Sequence, residues 1–273
     1  MPRRVFAPVS SREFERITAT LVGGRVFADA DEARAVHEAT PWRIQTTRGG
    51  DIAVLDRWRD HLDMLAVEAL WCAERGIPGA MRQLRQAALS LGYRDLLGPP
   101  APLTQVYAYE AAGMHVRETA SVWTSRVVPD VPIEVISPAG VVFREGDARD
   151  LATVLAVDAR CFDDFWRYDP RHLRRLIALQ RLVIAEGGGE AIGYTLSTTD
   201  HGVATLGRLG VVPEWRRRGV GRMLATEVMR WAGGESTARL SLCTQSDNAA
   251  ARGLYRTLGF REAPDRFAFL QFE

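Results

Sequence analysis

Apolar and polar positions change period many times along this chain, and the changes divide it into elements. Ser11 to Leu21 and about Ala30 to Ala39 carry helical spacing. Ser11 stands where a cap would start the first, Asp29 or Asp31 the second, and Pro41 ends it. Arg43 to Thr47 and Asp51 to Leu55 flank Arg48-Gly49-Gly50 and predict a hairpin. Leu62 to Trp71 is apolar and predicts a strand. Met81, Leu84, Ala88 and Leu91 line one side of a helix, followed by a short strand, Arg94 to Leu97, and a further helical stretch within Pro102 to Met114. Residues 124–140 hold three prolines and mixed turn signals.

Beyond them, Val141 to Arg144 predicts a strand. Asp147 to Ala159 predicts a helix bearing Leu151, Val154, Leu155 and Asp158. Pro170 opens another helix with Leu173, Leu176 and Ile177 on its apolar side. Leu182 to Ala185 and Ala191 to Ser197 form a hairpin around Gly187-Gly188-Gly189, and a strand, Val203 to Val211, follows.

That strand leads into LGVVPEWRRRGVG, Leu209 to Gly221, and then an amphipathic helix with Val220, Met223, Leu224, Val228 and Trp231 on one face. A strand feeding a glycine-tight loop at a helix start makes an anion cradle. The first N–H groups of the helix lack partners, and the helix dipole adds positive charge there. Gly219 and Gly221 let backbone approach a ligand, and Arg216, Arg217, Arg218 and Arg222 supply cations suited to phosphate. The loop lacks the Gly-Lys-Ser/Thr of a nucleotide-triphosphate loop. Leu224 breaks the Gly-x-Gly-x-x-Gly of a dinucleotide fold.

Arg216-x-x-Gly219-x-Gly221 after a strand resembles the coenzyme A pyrophosphate loop of the GNAT N-acetyltransferase superfamily. A strand, Ala238 to Gln245, separates the next helix from a second matching run, Asn248, Ala251, Tyr255, Gly259 and Phe260, which resembles the last helix of that family. Together they cover roughly residues 141–273. The resemblance implies a mixed, mostly antiparallel sheet that splays between its fourth and fifth strands. It implies pantetheine on the backbone of Leu209, Gly210 and Val211, pyrophosphate on the loop and on Val220, and Asn248 near the cofactor. It also implies Tyr255 as proton donor to the departing thiolate. Acetyl-CoA would be the co-substrate, without metal, and the acetyl group would pass directly to a primary amine of a small molecule or a peptide N-terminus. In the Asn-to-Tyr helix the chain resembles the N-terminal amine acetyltransferases of ribosomal proteins. Those carry Glu five residues before the asparagine, where Cys243 stands here.

Tyr109 lies four residues before Gly113, as Tyr255 lies four before Gly259, and the elements before each recur in order. This predicts an internal duplication, and an α+β chain of two tandem GNAT-like units. The boundaries are a degenerate unit over 1–128, a linker over 129–140, and a catalytic unit over 141–273. The first copy has Gly76-x-x-Gly79 with Pro78 and Glu74 in its loop and Pro102 at the asparagine position. It should hold pyrophosphate poorly.

For the acceptor, the loop Cys161 to Tyr168 is dense in aromatic and acidic residues. Phe165, Trp166 and Tyr168 are its candidate contacts, and Asp163, Asp164, Asp200 and His201 are candidate bases. Cys243 is read as a small core residue before a nucleophile. Composition then narrows the classes. All 35 basic residues besides histidine are arginine, which excludes Schiff-base and lysine-anchored cofactor chemistry. A net charge of +1 argues against nucleic acid as partner. Three scattered cysteines, the absence of a signal-type leader and of a membrane-length apolar run argue for a cytoplasmic protein with no membrane partner, and the lysine-free composition for a bacterial one. A homodimer is left open. The alternative of a different class is a non-catalytic acyl-CoA sensor or scaffold.

Overall fold

The computed structural model describes residues 6–23, 26–127, 139–235 and 237–272. The chain divides into two compact units, residues 1–119 with 267–273, and residues 120–266. Among the described residues no helix is long and apolar enough to cross a membrane.

The first unit runs β1 (Ala7–Pro8), α1 (Ser11–Gly23), α2 (Ala30–Ala39), β2 (Ile44–Thr46), β3 (Ile52–Arg57), β4 (Met64–Trp71), α3 (Ile77–Ser90), β5 (Asp95–Leu97), β6 (Ala101–Pro102), α4 (Val106–Glu110) and the start of β7 (Met114–Arg126). Strands β1 to β4 pair antiparallel in sequence, and β5 then pairs parallel to β4. The cap of α1 is Ser10, whose hydroxyl bonds the Glu13 carboxylate at 2.8 Å, with Glu13 N–H 3.4 Å from it. The expected Ser11 lies one position inside. Asp29 caps α2 by accepting from Glu32 N–H at 2.8 Å.

The second unit holds the rest of β7, then β8 (Val141–Gly146), α5 (Leu151–Cys161), α6 (Pro170–Leu179), β9 (Arg181–Gly187), β10 (Glu190–Asp200), β11 (Val203–Val211), α7 (Val220–Gly234), β12 (Arg239–Gln245), α8 (Ala249–Thr257) and the start of β13 (Arg261–Phe272). Strands β8 to β11 pair antiparallel and β12 pairs parallel to β11. Apart from the short β6, the order of elements repeats that of the first unit, and so does the sense of pairing along its first five strands. The duplication read from two Tyr-Gly spacings is therefore present as topology. Gly113 and Gly259 even share a left-handed backbone, φ +94° and +84°.

The expected cut near residues 129–140 differs from the observed one, and residues 128–138 lie outside the described part. The reason is in the strands. Residues 120–126 of β7 pair antiparallel with β12 along its whole length, so they belong to the second unit. Residues 267–272 of β13 pair with β5 and β6, so they belong to the first. A parallel strand needs a neighbour on its far side, and each half of the chain lends its last strand to fill that place.

One core of the second unit gathers Leu173, Leu182, Ile184, Tyr194, Leu196, Val212 and Leu224; another gathers Trp123, Leu206, Val228, Leu240, Leu242, Tyr255 and Phe260. Burial of each large side chain contributes about 1.5–3 kcal/mol, which is what fixes α5, α6, α7 and α8 against the sheet.

Candidate functional site

Strands β11 and β12 run side by side only from Val203 opposite Arg239 to Leu206 opposite Leu242. Both continue, but apart. β11 stays on β10 as far as Val211 opposite Gly193, and β12 stays on β7 as far as Gln245 opposite Ala120. The sheet of the second unit thus opens between its fourth and fifth strands, as expected. A bulge marks the point of opening: Leu206 faces Ser197 and Arg208 faces Leu196, with Gly207 extra between them. Residues 207–211 have no registered partner on β12 among the described residues. Their backbone groups on that edge are left for an extended ligand.

Close approach explains the glycines of this edge. A Cβ on Gly210 would lie 3.1 Å from Cys161 Sγ and 3.2 Å from both Phe162 and Tyr194, and one on Gly193 would lie 2.8 Å from Gly210 O. Side chains there would push β11 off its neighbours. Leu209 and Val211 point the other way, toward α7, within 4 Å of a Cβ built on Gly221.

The loop after β11 is held at three points. Trp215 sits over Gly187, where a Cβ would come within 2.9 Å of the indole. Glu214 accepts from Arg160 at 2.9 Å. Arg216 donates from Nε to Val211 O at 2.9 Å and from an Nη to Cys161 O at 3.1 Å. Arg216 therefore ties the loop to the protein, in place of the free phosphate cation expected of it. Arg217 and Gly219 both adopt left-handed backbone, φ +63° and +87°. Gly219 precedes α7, and no side chain caps that helix. Alternating hand turns successive N–H groups toward one side, and Val220, Gly221 and Arg222 bring the uncapped first turn of α7 to the same place. Arg217, Arg218 and Arg222 are exposed around it, Arg218 lying 5.1 Å over the Trp215 ring and Arg222 3.5 Å from Thr257 Oγ1 of α8.

α8 brings the second motif beside the first. Leu254 lies 3.6 Å from a Cβ built on Gly221. Asn248 Oδ1 accepts from Ala251 N–H at 3.0 Å as the helix cap, which leaves its amide NH2 and a second lone pair of Oδ1 for a ligand. Tyr255 is buried among the core residues behind the opened strands, its ring 5.7 Å from that of Phe260. Its hydroxyl has no hydrogen-bond partner among the described residues. Burial pushes the phenol up to about 12, so it holds its proton across the neutral range.

The aromatic loop after α5 is organised by Asp158 and Arg208, neither of them among the site residues expected from the sequence. Asp158, on α5, is buried and accepts from the Tyr194 hydroxyl, from Arg208 Nη at 2.6 Å and from Tyr168 N–H at 3.0 Å. Arg208 also donates to Trp166 O at 2.7 Å and lies over the rings of Phe162 and Tyr168, 3.4 and 4.3 Å from their centroids. Two signals were legible: an acid on the apolar face of a helix, and an arginine among the inward positions of a strand. Of the expected contacts, Phe165 is buried with its ring edge-on to Trp166 and drops out, while Trp166 and Tyr168 are half-buried.

Asp163 and Asp164 are taken up within the loop, accepting from Trp166 N–H at 3.2 Å and pairing with Arg167 at 2.8 Å. Asp200 and His201 form the turn before β11, next to where β11 and β12 still pair. Nine residues of strand, about 30 Å, separate them from Val211. They are excluded as bases at the opened end. Cys243, expected in the core, is instead exposed on β12, though partial desolvation raises its thiol above the ordinary value and leaves it a poor nucleophile.

The first unit repeats the opening without the cradle. β4 and β5 pair only from Met64 to Ala66, but α3 starts straight after the turn Glu74–Gly76, with right-handed Gly76 and Pro78 inside its first turn. Glu74 accepts from the Tyr107 hydroxyl. An acid, a single arginine at Arg75 and a missing N–H stand where the second unit has its arginine cluster and left-handed turn.

An opened parallel pair feeding an uncapped helix start offers backbone donors to an extended, anionic ligand. Residues 151–260 match the acetyltransferase (GNAT) family model. It is 41% identical over 63 residues to the [ribosomal protein bS18]-alanine N-acetyltransferase of Salmonella typhimurium, 23% of this chain and 43% of that protein. It is 33% identical over 111 residues to the N-alpha-acetyltransferase RimI of Mycobacterium tuberculosis, 36% of this chain and 63% of that one. The chain thus spans less than two thirds of either relative. In fold it is similar to a tandem GNAT protein from the clavulanic acid biosynthesis pathway, with a TM-score of 0.63 at 19% identity over 84% of this chain and 81% of that one.

Proposed function

We propose that the second unit is an acetyl-CoA-dependent N-acetyltransferase that moves the acetyl group directly to a primary amine. The observation that carries this is the separation of β11 from β12 beyond Leu206 and Leu242, leading to the uncapped start of α7. Pantetheine adds to the free edge of Leu209, Gly210 and Val211. The diphosphate sits on the N–H groups of residues 217–222, with Arg217, Arg218 and Arg222 about it. Arg216 and Asn248 act by holding loop and helix in shape. The Val211 N–H polarises the thioester oxygen, and the neutral amine attacks the carbonyl carbon. As the C–S bond breaks, Tyr255 gives its proton to the sulfur, the attacking amine loses one to solvent, and solvent returns a proton to the Tyr255 phenolate. Two bound reactants held in line supply much of the rate, and no covalent enzyme intermediate is needed.

The first unit is a degenerate copy that binds no coenzyme A. A peptide N-terminus is one acceptor class, the two relatives being named an alanine N-acetyltransferase of ribosomal protein bS18 and an N-alpha-acetyltransferase, although Cys243 departs from the glutamate of the ribosomal-protein enzymes. A small-molecule amine is the other class. The deciding experiment measures thiol release from acetyl-CoA with a panel of peptides and small amines, wild type against Tyr255→Phe. Amine-dependent release lost in the variant is expected. Coenzyme A binding without release for any amine would leave the sensor reading instead.

A further inference from the structure

Arg208 touches neither the cleft edge occupied by pantetheine nor the loop that takes diphosphate in the reading above, on which this inference rests. It lies on the opposite face of β11, one residue past the bulge at Gly207 and two before Gly210. Its guanidinium is almost fully buried, with 7% of the side chain exposed, and Asp158 opposite it is 1% exposed. Burial alone would pull the charge off Arg208, and Tyr194, Tyr168 and Asp158 around it more than restore it.

The partners define what this pair does. One nitrogen is shared between Asp158 Oδ1 at 2.6 Å and Trp166 O at 2.7 Å. Nε reaches Asp158 at 3.0 Å and the Tyr194 hydroxyl at 3.3 Å. The flat face covers Phe162 and Tyr168. Asp158 in turn takes the Tyr168 N–H at 3.0 Å. Both ends of the aromatic loop, 162 and 168, and its middle at 166 therefore meet the Arg208 guanidinium that rises from β11, with Asp158 holding the Tyr168 N–H. Arg167 adds a bond within the loop, to Phe162 O at 3.2 Å, and none to the strand.

We propose that Arg208 and Asp158 are positioning residues that lock the acceptor-side loop, residues 162–168, to the strand that presents the thioester. They set how tightly and in what place the amine is held, without acting on coenzyme A. The bulge is what makes this possible: the extra residue aims Arg208 into the α5 side while the other edge of the same strand stays free for the cofactor.

The test uses two variants of the full chain. Arg208→Lys keeps a charge for Asp158 but lacks the planar fork. Asp158→Leu with Arg208→Met replaces the pair by apolar side chains of similar size, a change that buried ion pairs commonly tolerate. Amide hydrogen exchange is read over residues 160–169, and coenzyme A is titrated into the same preparations. Exchange in that segment should rise about tenfold or more in both variants, with coenzyme A affinity within about twofold of wild type. With any panel amine that is acetylated, KM for the amine should rise about tenfold while KM for acetyl-CoA stays within about twofold. Unchanged protection of 160–169 in a folded variant overturns the proposal. So does a loss of coenzyme A affinity equal to the loss for the amine. If wild type acetylates nothing in the panel, the transferase reading fails alone, and the exchange result still decides the locking of the loop.

Discussion

Leu206 and Leu242 are the last residues of β11 and β12 that face each other in register, and five residues of β11 run on beyond them. The whole functional reading grows from that end point. Up to it the two strands satisfy one another. Past it an edge of β11 is free, and it points at the start of α7, which is approached through two left-handed residues, Arg217 and Gly219.

Gly219 is the residue most sensitive to a side chain. At φ +87° a Cβ costs about 1–3 kcal/mol of strain. Gly219→Ala should lower unfolding stability by about that amount and weaken coenzyme A at least tenfold in a calorimetric titration. Gly221→Ala is the control. A Cβ there meets Leu254, Val211 and Leu209 at 3.6–3.8 Å, ordinary contact, so the fold should hold unchanged.

Tyr255→Phe removes a hydroxyl that no described residue uses. Its unfolding stability should stay within about 0.5 kcal/mol of wild type. Its kcat should fall about 100-fold or more, with KM for acetyl-CoA hardly moved. Steady-state kinetics with an accepted amine checks both.

Alkaline pH gives a stability signature. The Tyr255 phenol is held up at about 12 by burial, against an ordinary value of 10.0, so between those values the unfolded chain has lost a proton the folded one keeps. Stability is thus full below about pH 10 and falls as pH rises toward 12. Tyr109 in the first unit, also raised to about 12 by burial and then by Cys72, adds to the fall. Urea unfolding from pH 8 to 11 should show a level region and then a decline, shallower in Tyr255→Phe. A decline of equal slope in the variant would mean that Tyr255 is not buried in solution.

Stoichiometry separates the two units. With Glu74, right-handed Gly76 and Pro78 where the second unit has arginines and left-handed turns, the first should bind no coenzyme A. Calorimetry should give one coenzyme A per chain. Two equivalents would show that the first cleft is functional.

Much of this was legible in the residues. Strand-loop-helix runs with Gly219 and Gly259 at their ends gave the cleft and its last helix, because glycine is placed by backbone needs that spacing reveals. The repeat of Tyr109-Gly113 in Tyr255-Gly259 gave the duplication. The exchange of last strands was not legible. Residues 120–126 and 267–272 alternate like any strand, and nothing in such a pattern says which neighbour it pairs with. Nor were the tasks of Arg216 and Asp158 read: side chains that bind backbone carbonyls or a distant arginine look the same in sequence as those that meet solvent. Asp200 and His201 failed as bases for a reason of length alone, since they sit at the other end of β11.

The most direct test is a crystal structure of the full chain with coenzyme A. The pantetheine arm should lie between β11 and β12 past Leu206 and Leu242, with the diphosphate on the N–H groups of residues 217–222. Coenzyme A bound elsewhere, with those strands closed on each other, would contradict the account.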